Sequence, residues 1–147
     1  MIAIGNRQRI PVDRGRIRRT VRTALAALGV WDHELSLTLV DDRAIRRLNA
    51  RYRGARRATD VLAFPLGGPG RPVLGEAIIS VEAARRQARR VGHSLREELD
   101  LLCCHACLHL VGWDDREPLE ARLMHLREMA LLGRLYARPA PTLHVVA

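Results

Sequence analysis

Apolar and polar residues alternate singly along Glu34-Leu-Ser-Leu-Thr-Leu-Val40, a period of two that predicts a strand with one buried face. Before it the period lengthens. Ile17, Val21, Leu25 and Leu28 recur at helical spacing with arginines on the other face, so Val12 to Leu28 reads as an amphipathic helix closed by Gly29. Ile2 to Ile4 is long enough for a short strand. After the alternating segment, Asp41 or Asp42 can cap a helix over Arg43 to Tyr52. Gly54 to Ala58 reads as a basic loop, Asp60 to Phe64 as a short strand, Pro65 to Pro72 as a turn and Val73 to Ile79 as another strand. Ser80 opens a helix that runs to Arg90 and closes at Gly92. Ser94-Leu-Arg-Glu97 is a capping-box pattern at the head of an apolar helix, Leu95 to Val111. Pro118 suits the first turn of a last helix ending near Leu132 and Gly133. Arg138 to Ala147 reads as a loosely held tail.

Strands and helices mixed in this order predict an α+β fold in one domain over residues 1–147, with the loose tail from about residue 138. Apolar residues form 48% of the chain, enough for a real core. No apolar run approaches the roughly 20 residues of a membrane helix, and the first residues lack the apolar segment of a signal peptide, so a cytoplasmic location is expected. The net charge is +9, all 25 basic residues are arginine, and lysine is absent. One reading is phosphate recognition, since guanidinium binds phosphate bidentately; the other is mutational bias toward arginine codons, which the total absence of lysine favours. The field still attracts RNA without specifying it.

The chemistry gathers in His105-Ala-Cys-Leu-His109-Leu-Val-Gly112-Trp-Asp114-Asp115. Residues four apart leave a helix on the same face, so the two imidazoles supply half of a tetrahedral zinc site. Gly112 can end the helix at positive φ and turn the chain back. Asp114 and Asp115 are the groups placed to give a third ligand, and Asp115 is favoured. One Zn2+ per chain is the expected cofactor, with nickel or manganese as substitutes. The alternative is a pair of ordinary core histidines, but two neutral rings buried side by side each need partners for two nitrogens. A zinc peptidase helix carries a glutamate beside its first histidine as general base; here that position is Ala106. Cys104 and Cys107 have the spacing of a redox or zinc pair. At about 100° per residue, however, Cys103 and Cys107 fall opposite the histidines, as small residues packing the helix onto a sheet.

The same stretch resembles the YbeY family of bacterial ribosomal-RNA-processing proteins, with the signature His-Gly-x-Leu-His-Leu-x-Gly-Tyr-Asp-His. This chain keeps His105, Leu108, His109, Leu110, Gly112 and Asp114, with Trp113 for tyrosine. It departs at Ala106, for glycine, and at Asp115, for the third histidine. Leu48-Asn49-Ala-Arg-Tyr52-Arg53, Thr59-Asp60-Val61-Leu62-Ala63-Phe64-Pro65 and Leu74-Gly75-Glu76-Ala-Ile-Ile-Ser80 are similar to further family motifs, in order, from about Leu35 to Leu132. The resemblance implies a small mixed sheet packed with helices and a metal at the mouth of a cleft. It implies a single-strand-specific endoribonuclease acting in 16S 3′-end maturation and ribosome quality control, with ribosomal RNA and the small ribosomal subunit as partners. Arg53, matching the family's arginine, becomes the candidate cation for the phosphate in the transition state.

Other residues are weaker candidates. Asp114 can accept from a histidine N–H or cap the last helix. Glu76 stands where the family has aspartate, His125 is a reserve ligand, and Thr59 with Asp60 fits a turn. His33, His93 and His144 show no partner pattern. Two other functions remain open: a metal hydrolase on another substrate, and a ribosome-associated zinc-binding protein without catalysis.

Overall fold

The computed structural model describes residues 1–53, 59–67 and 72–136; the side chain of Arg53 also lies outside the description. The basic loop at Gly54 to Ala58, part of the turn between Pro65 and Pro72, and the tail expected from about residue 138 therefore lie outside the described residues. The elements are β1 (Ile2–Asn6), α1 (Arg14–Ala27), β2 (Glu34–Val40), α2 (Asp42–Arg53), β3 (Val61–Pro65), β4 (Val73–Ser80), α3 (Val81–Val91), α4 (Leu95–Leu110) and α5 (Pro118–Leu135). The sheet order is β1-β2-β4-β3. β1 and β4 flank β2 in parallel, and β3 closes one edge antiparallel to β4. The fold is thus α+β, as the order of strand and helix signals implied, with the small mixed sheet that the family resemblance implied.

Strand alternation sorts the side chains onto two faces. Leu37 and Leu39 of β2 stand beside Ala77 and Ile79 of β4, and Ala63 of β3 stands beside Ala77. These belong to the main core, with Ile17, Val21 and Leu25 of α1, Leu102 and Leu108 of α4 and Met124 of α5. The opposite face is covered by α2, where Ile45 packs in a smaller cluster with Val40, Leu62 and Ile78.

The helix ends follow local chemistry. Asp41 rather than Asp42 takes the cap role on α2, its carboxylate accepting from Ala44 N–H at 2.8 Å. Ser80 caps α3 and Ser94 caps α4, the latter with the reciprocal Glu97 bond of a capping box. α5 runs past Leu132 and Gly133 to Leu135, because Gly133 is buried there and needs no turn. Gly75 has a φ of 145°, and a Cβ would meet the Phe64 carbonyl oxygen at 2.2 Å. Only glycine lets β4 pass β3 this closely.

α4 is buried on most of its surface, including Leu99, Leu102, Cys103, Ala106, Cys107 and Leu108. It packs on α1, α3, α5, β3 and β4. A helix apolar nearly all round is a central core helix. Its buried charges are each answered. Asp100 accepts from Arg16 Nη2 at 2.7 Å, Thr20 Oγ1 at 3.0 Å and Tyr136 O–H at 2.6 Å, tying α1 and the end of α5 to α4. Glu98 takes His93 Nε2 at 2.6 Å, a partner the sequence pattern did not reveal.

Asp100 is only 2% exposed, so replacing it with alanine strands the Arg16 cation and two hydroxyls. Asp100→Ala should lose about 3–5 kcal/mol of stability by urea unfolding. Thr20→Val, which removes one neutral donor, should cost about 1 kcal/mol. Equal losses in both variants would show that the charge pair is not what ties these helices.

Candidate metal centre

His105 and His109 leave α4 on one side, at the rim of the buried surface. Their Nε2 atoms lie 3.0 Å apart. Beyond the helix, Val111 ends the last turn and Gly112 adopts a φ of 108°, which reverses the chain. That turn brings Asp115 back over the pair. Its Oδ2 lies 3.5 Å from His105 Nε2 and 3.6 Å from His109 Nε2. Donors on a tetrahedral shell of radius about 2.1 Å stand about 3.4 Å apart, so the triangle has the size of one metal's coordination face. Two imidazoles and one carboxylate are a donor set that suits zinc. These three are the only such group among the described residues.

The rings are aimed from behind. Glu128 on α5, almost fully buried, engages His105 Nδ1. The Trp113 carbonyl accepts from His109 Nδ1 at 3.0 Å. With both Nδ1 atoms occupied, both Nε2 lone pairs face the third donor. The environment also separates the two rings. Burial is the largest single influence on His105 and acts to lower its pKa, but the hydrogen bond to Glu128 and the negative charges of Glu128, Asp115 and Asp60 together outweigh it, and the net shift is upward. Burial and the neighbouring His105 lower that of His109. Without an ion, His105 is the ring that takes a proton first.

The triad lines a cleft of about 460 Å³ with Thr59, Asp60, Val61, Ala63 and Pro65 on one wall and Trp113, Asp114 and Arg116 on another. A cavity of about 490 Å³ elsewhere lies between the starts of α1 and α4. Its charged residues Arg16 and Asp100 bind each other, and it has no metal donors grouped in it.

The other sequence candidates separate here. Asp114 accepts from Asp115 N–H at 2.7 Å and pairs with Arg116 at 3.2 Å, so it shapes the turn. Neither aspartate caps α5, whose first residue follows Glu117. His125 Nδ1 stands 3.6 Å from the far oxygen of Glu128 and outside the triad. Glu76 shares a face of β4 with Ile78, under α2, and does not line the cleft. Thr59 and Asp60 do line it, and the Asp60 carbonyl also accepts from Ser80 N–H at 2.9 Å. Arg53 is the last residue of α2. Ala106 is buried and brings no carboxylate. All three cysteines are buried, and burial pushes the Cys107 thiol up to about 12 and the other two well above their usual range. They stay protonated and are core residues, as the helical angles implied for Cys103 and Cys107; Cys104, to one side of that face, is buried as well.

Sequence reasoning missed Glu128. A signal was present: Met124, Glu128 and Leu131 recur at the spacing of a buried helix face, and a carboxylate there needs a partner.

Fold and site together define a class: small α+β proteins whose central helix carries a histidine pair that can hold one divalent ion at a cleft. Residues 3–136 match the family model described as Endoribonuclease YbeY. "Endoribonuclease YbeY" of Thermobifida fusca is 41% identical over 142 residues, covering 90% of this chain and 92% of that protein. "Endoribonuclease YbeY" of Anaeromyxobacter sp. is 45% identical over 118 residues, covering 79% of this chain and 62% of that longer protein. The solution structure of TM1509 from Thermotoga maritima shares the fold, with a TM-score of 0.67 and 24% identity over 93% of this chain and 90% of that one. The chain belongs to the YbeY family.

Glu128→Ala should keep the fold but weaken metal binding about 10- to 100-fold, read by competition with a chromophoric chelator. Glu128→Gln, which can still accept from Nδ1, should lose less. An alanine variant with wild-type affinity would leave Glu128 a core residue alone.

Proposed function

We propose that this chain is a metal-dependent endoribonuclease that cuts single-stranded segments of ribosomal RNA in 16S 3′-end maturation and ribosome quality control. His105, His109 and Asp115 hold one divalent ion, zinc or a close substitute. Family membership supports RNA cleavage, and one observation carries the site: three donors from a helix and a glycine turn converge at metal-ligand spacing at the edge of a cleft. The small ribosomal subunit is the expected partner and the cytoplasm the expected place of action. No described helix is long and apolar enough to cross a membrane.

The residues divide the work. Glu128 and the Trp113 carbonyl fix the two rings so that both Nε2 atoms point to one spot. Asp115 adds a negative charge, which leaves a divalent ion with one net positive charge. When bound, the ion supplies Lewis acidity to a phosphoryl oxygen and to an attacking water. Arg53 is the proposed cation for the charge that builds on the phosphate. The cleft wall from Thr59 to Pro65 bounds the space in which one strand lies.

Relative to three histidines, the carboxylate makes the ion a weaker Lewis acid, so activity should rise at higher pH. The reading of a purely structural metal predicts a closed shell of four protein donors. Only three are grouped among the described residues, which favours catalysis. Peptide hydrolysis is disfavoured because Ala106 offers no general base.

Asp115→Ala should weaken zinc binding at least tenfold, whereas Asp115→His should retain it and shift the cleavage profile to lower pH. His125→Ala should leave affinity unchanged. Loss in His125→Ala with no change in Asp115→Ala would reverse the ligand assignment. Arg53→Ala should bind a full metal equivalent yet cleave a structured ribosomal RNA fragment about 100-fold more slowly. Wild-type cleavage by that variant would remove Arg53 from the site.

A further inference from the structure

The arginines of this chain are not equivalent. On α1, Arg16 is bound to Asp100 and Arg18 donates to the Ile2 carbonyl. On α3, Arg86 pairs with Asp42. Other arginines of these helices, Arg19, Arg22 and Arg90 among them, are exposed, but on α2 no arginine among the described residues is held by a salt bridge. Arg43, Arg46, Arg47 and Arg51 are all exposed, and among the described residues none has a carboxylate in salt-bridge reach. Their spacing places them on one side of the helix, opposite Ile45 and Leu48, which face the sheet. The row is about 12 Å long at 1.5 Å per residue. Like charges three and four residues apart cost helix stability, and Asp42, one turn before Arg46, offsets only part of that repulsion.

The row also leads somewhere. Arg51 stacks on the Tyr52 ring at 5.4 Å, and Tyr52 meets the Phe64 ring at 5.5 Å. Tyr52 is 57% exposed. Phe64 lies on β3 between Ala63 and Pro65, both of which line the metal cleft. A line of unpaired guanidinium groups thus ends in an exposed aromatic beside the strand that walls the site.

We propose that the outer face of α2 is a docking surface for the phosphate backbone of RNA, holding the segment beside the one that enters the metal cleft. The proposal rests on the endoribonuclease reading and adds the surface that the RNA uses. Charge complementarity selects the occupant. Guanidinium forks bind phosphate bidentately, and an unpaired row can neutralise successive phosphates without reading bases. The contacts would give affinity and orientation but little sequence preference.

The test is a binding titration with a labelled RNA hairpin carrying a single-stranded 3′ extension, at several salt concentrations. Wild type is compared with two triple variants of equal charge. One is Arg43→Gln, Arg46→Gln and Arg47→Gln. The other is Arg19→Gln, Arg22→Gln and Arg90→Gln, which removes exposed arginines from α1 and α3. Glutamine has nearly the helix propensity of arginine, so both should fold. Each lost phosphate contact lowers the slope of log affinity against log salt by about 0.7–0.9. The α2 variant should lose a slope of about 2, so its deficit should shrink roughly 15-fold between 50 and 200 mM salt. The control should keep a slope near that of wild type. Equal losses in both variants would overturn the proposal, since net charge alone would then act. An unchanged slope in the α2 variant would also overturn it and leave the row to an acidic protein partner. Binding needs no cleavage. A wild type that bound this RNA without cutting it would fail the endoribonuclease reading while the slopes still decided the surface.

Discussion

The structure depends on how α4 is buried. This helix must fill the centre of the core and also carry the site, and those demands conflict at every polar position. The conflict is resolved by giving each buried polar group a partner from a different element. Asp100 draws in Arg16, Thr20 and Tyr136. Glu98 draws in His93, and His105 draws in Glu128. An unpartnered buried charge would cost several kcal/mol, so these pairs fix which helices can lie against α4. The apolar remainder sets its depth against β3 and β4.

The site follows from that placement. With Cys103, Cys107 and Leu108 held in the core, the helix cannot rotate, and His105 and His109 emerge at the edge of the cleft. Gly112 then does what a residue with a Cβ would do only under strain, returning the chain so that Asp115 faces both rings. Glu128 couples the site to α5, so the ligand geometry is set by the packing of two helices and not by local sequence alone.

What was legible in the sequence was local. The alternation over Glu34 to Val40, the Ser94 capping box and the histidine pair at one helical turn each carry their structure in a few residues. The burial of Cys103 and Cys107 was legible from angle alone; that of Cys104 was not. Long-range pairings were not. Nothing near Asp100 names Arg16 or Tyr136, and nothing near His105 names Glu128, because these partners meet only after the helices pack. The antiparallel edge position of β3 was likewise hidden, since a five-residue strand has the same pattern in either direction. Arg53 came from resemblance to a family motif, and its side chain lies outside the described residues.

The central claim is that one helix and one glycine turn present two imidazoles and a carboxylate to a single ion. X-ray absorption at the zinc edge, on protein loaded with one equivalent, tests this most directly. The account predicts two imidazole nitrogens and a carboxylate oxygen at about 2.0–2.2 Å, with a light exogenous atom completing the shell and no sulfur. Sulfur scattering near about 2.3 Å, or a third imidazole in the shell, would contradict it.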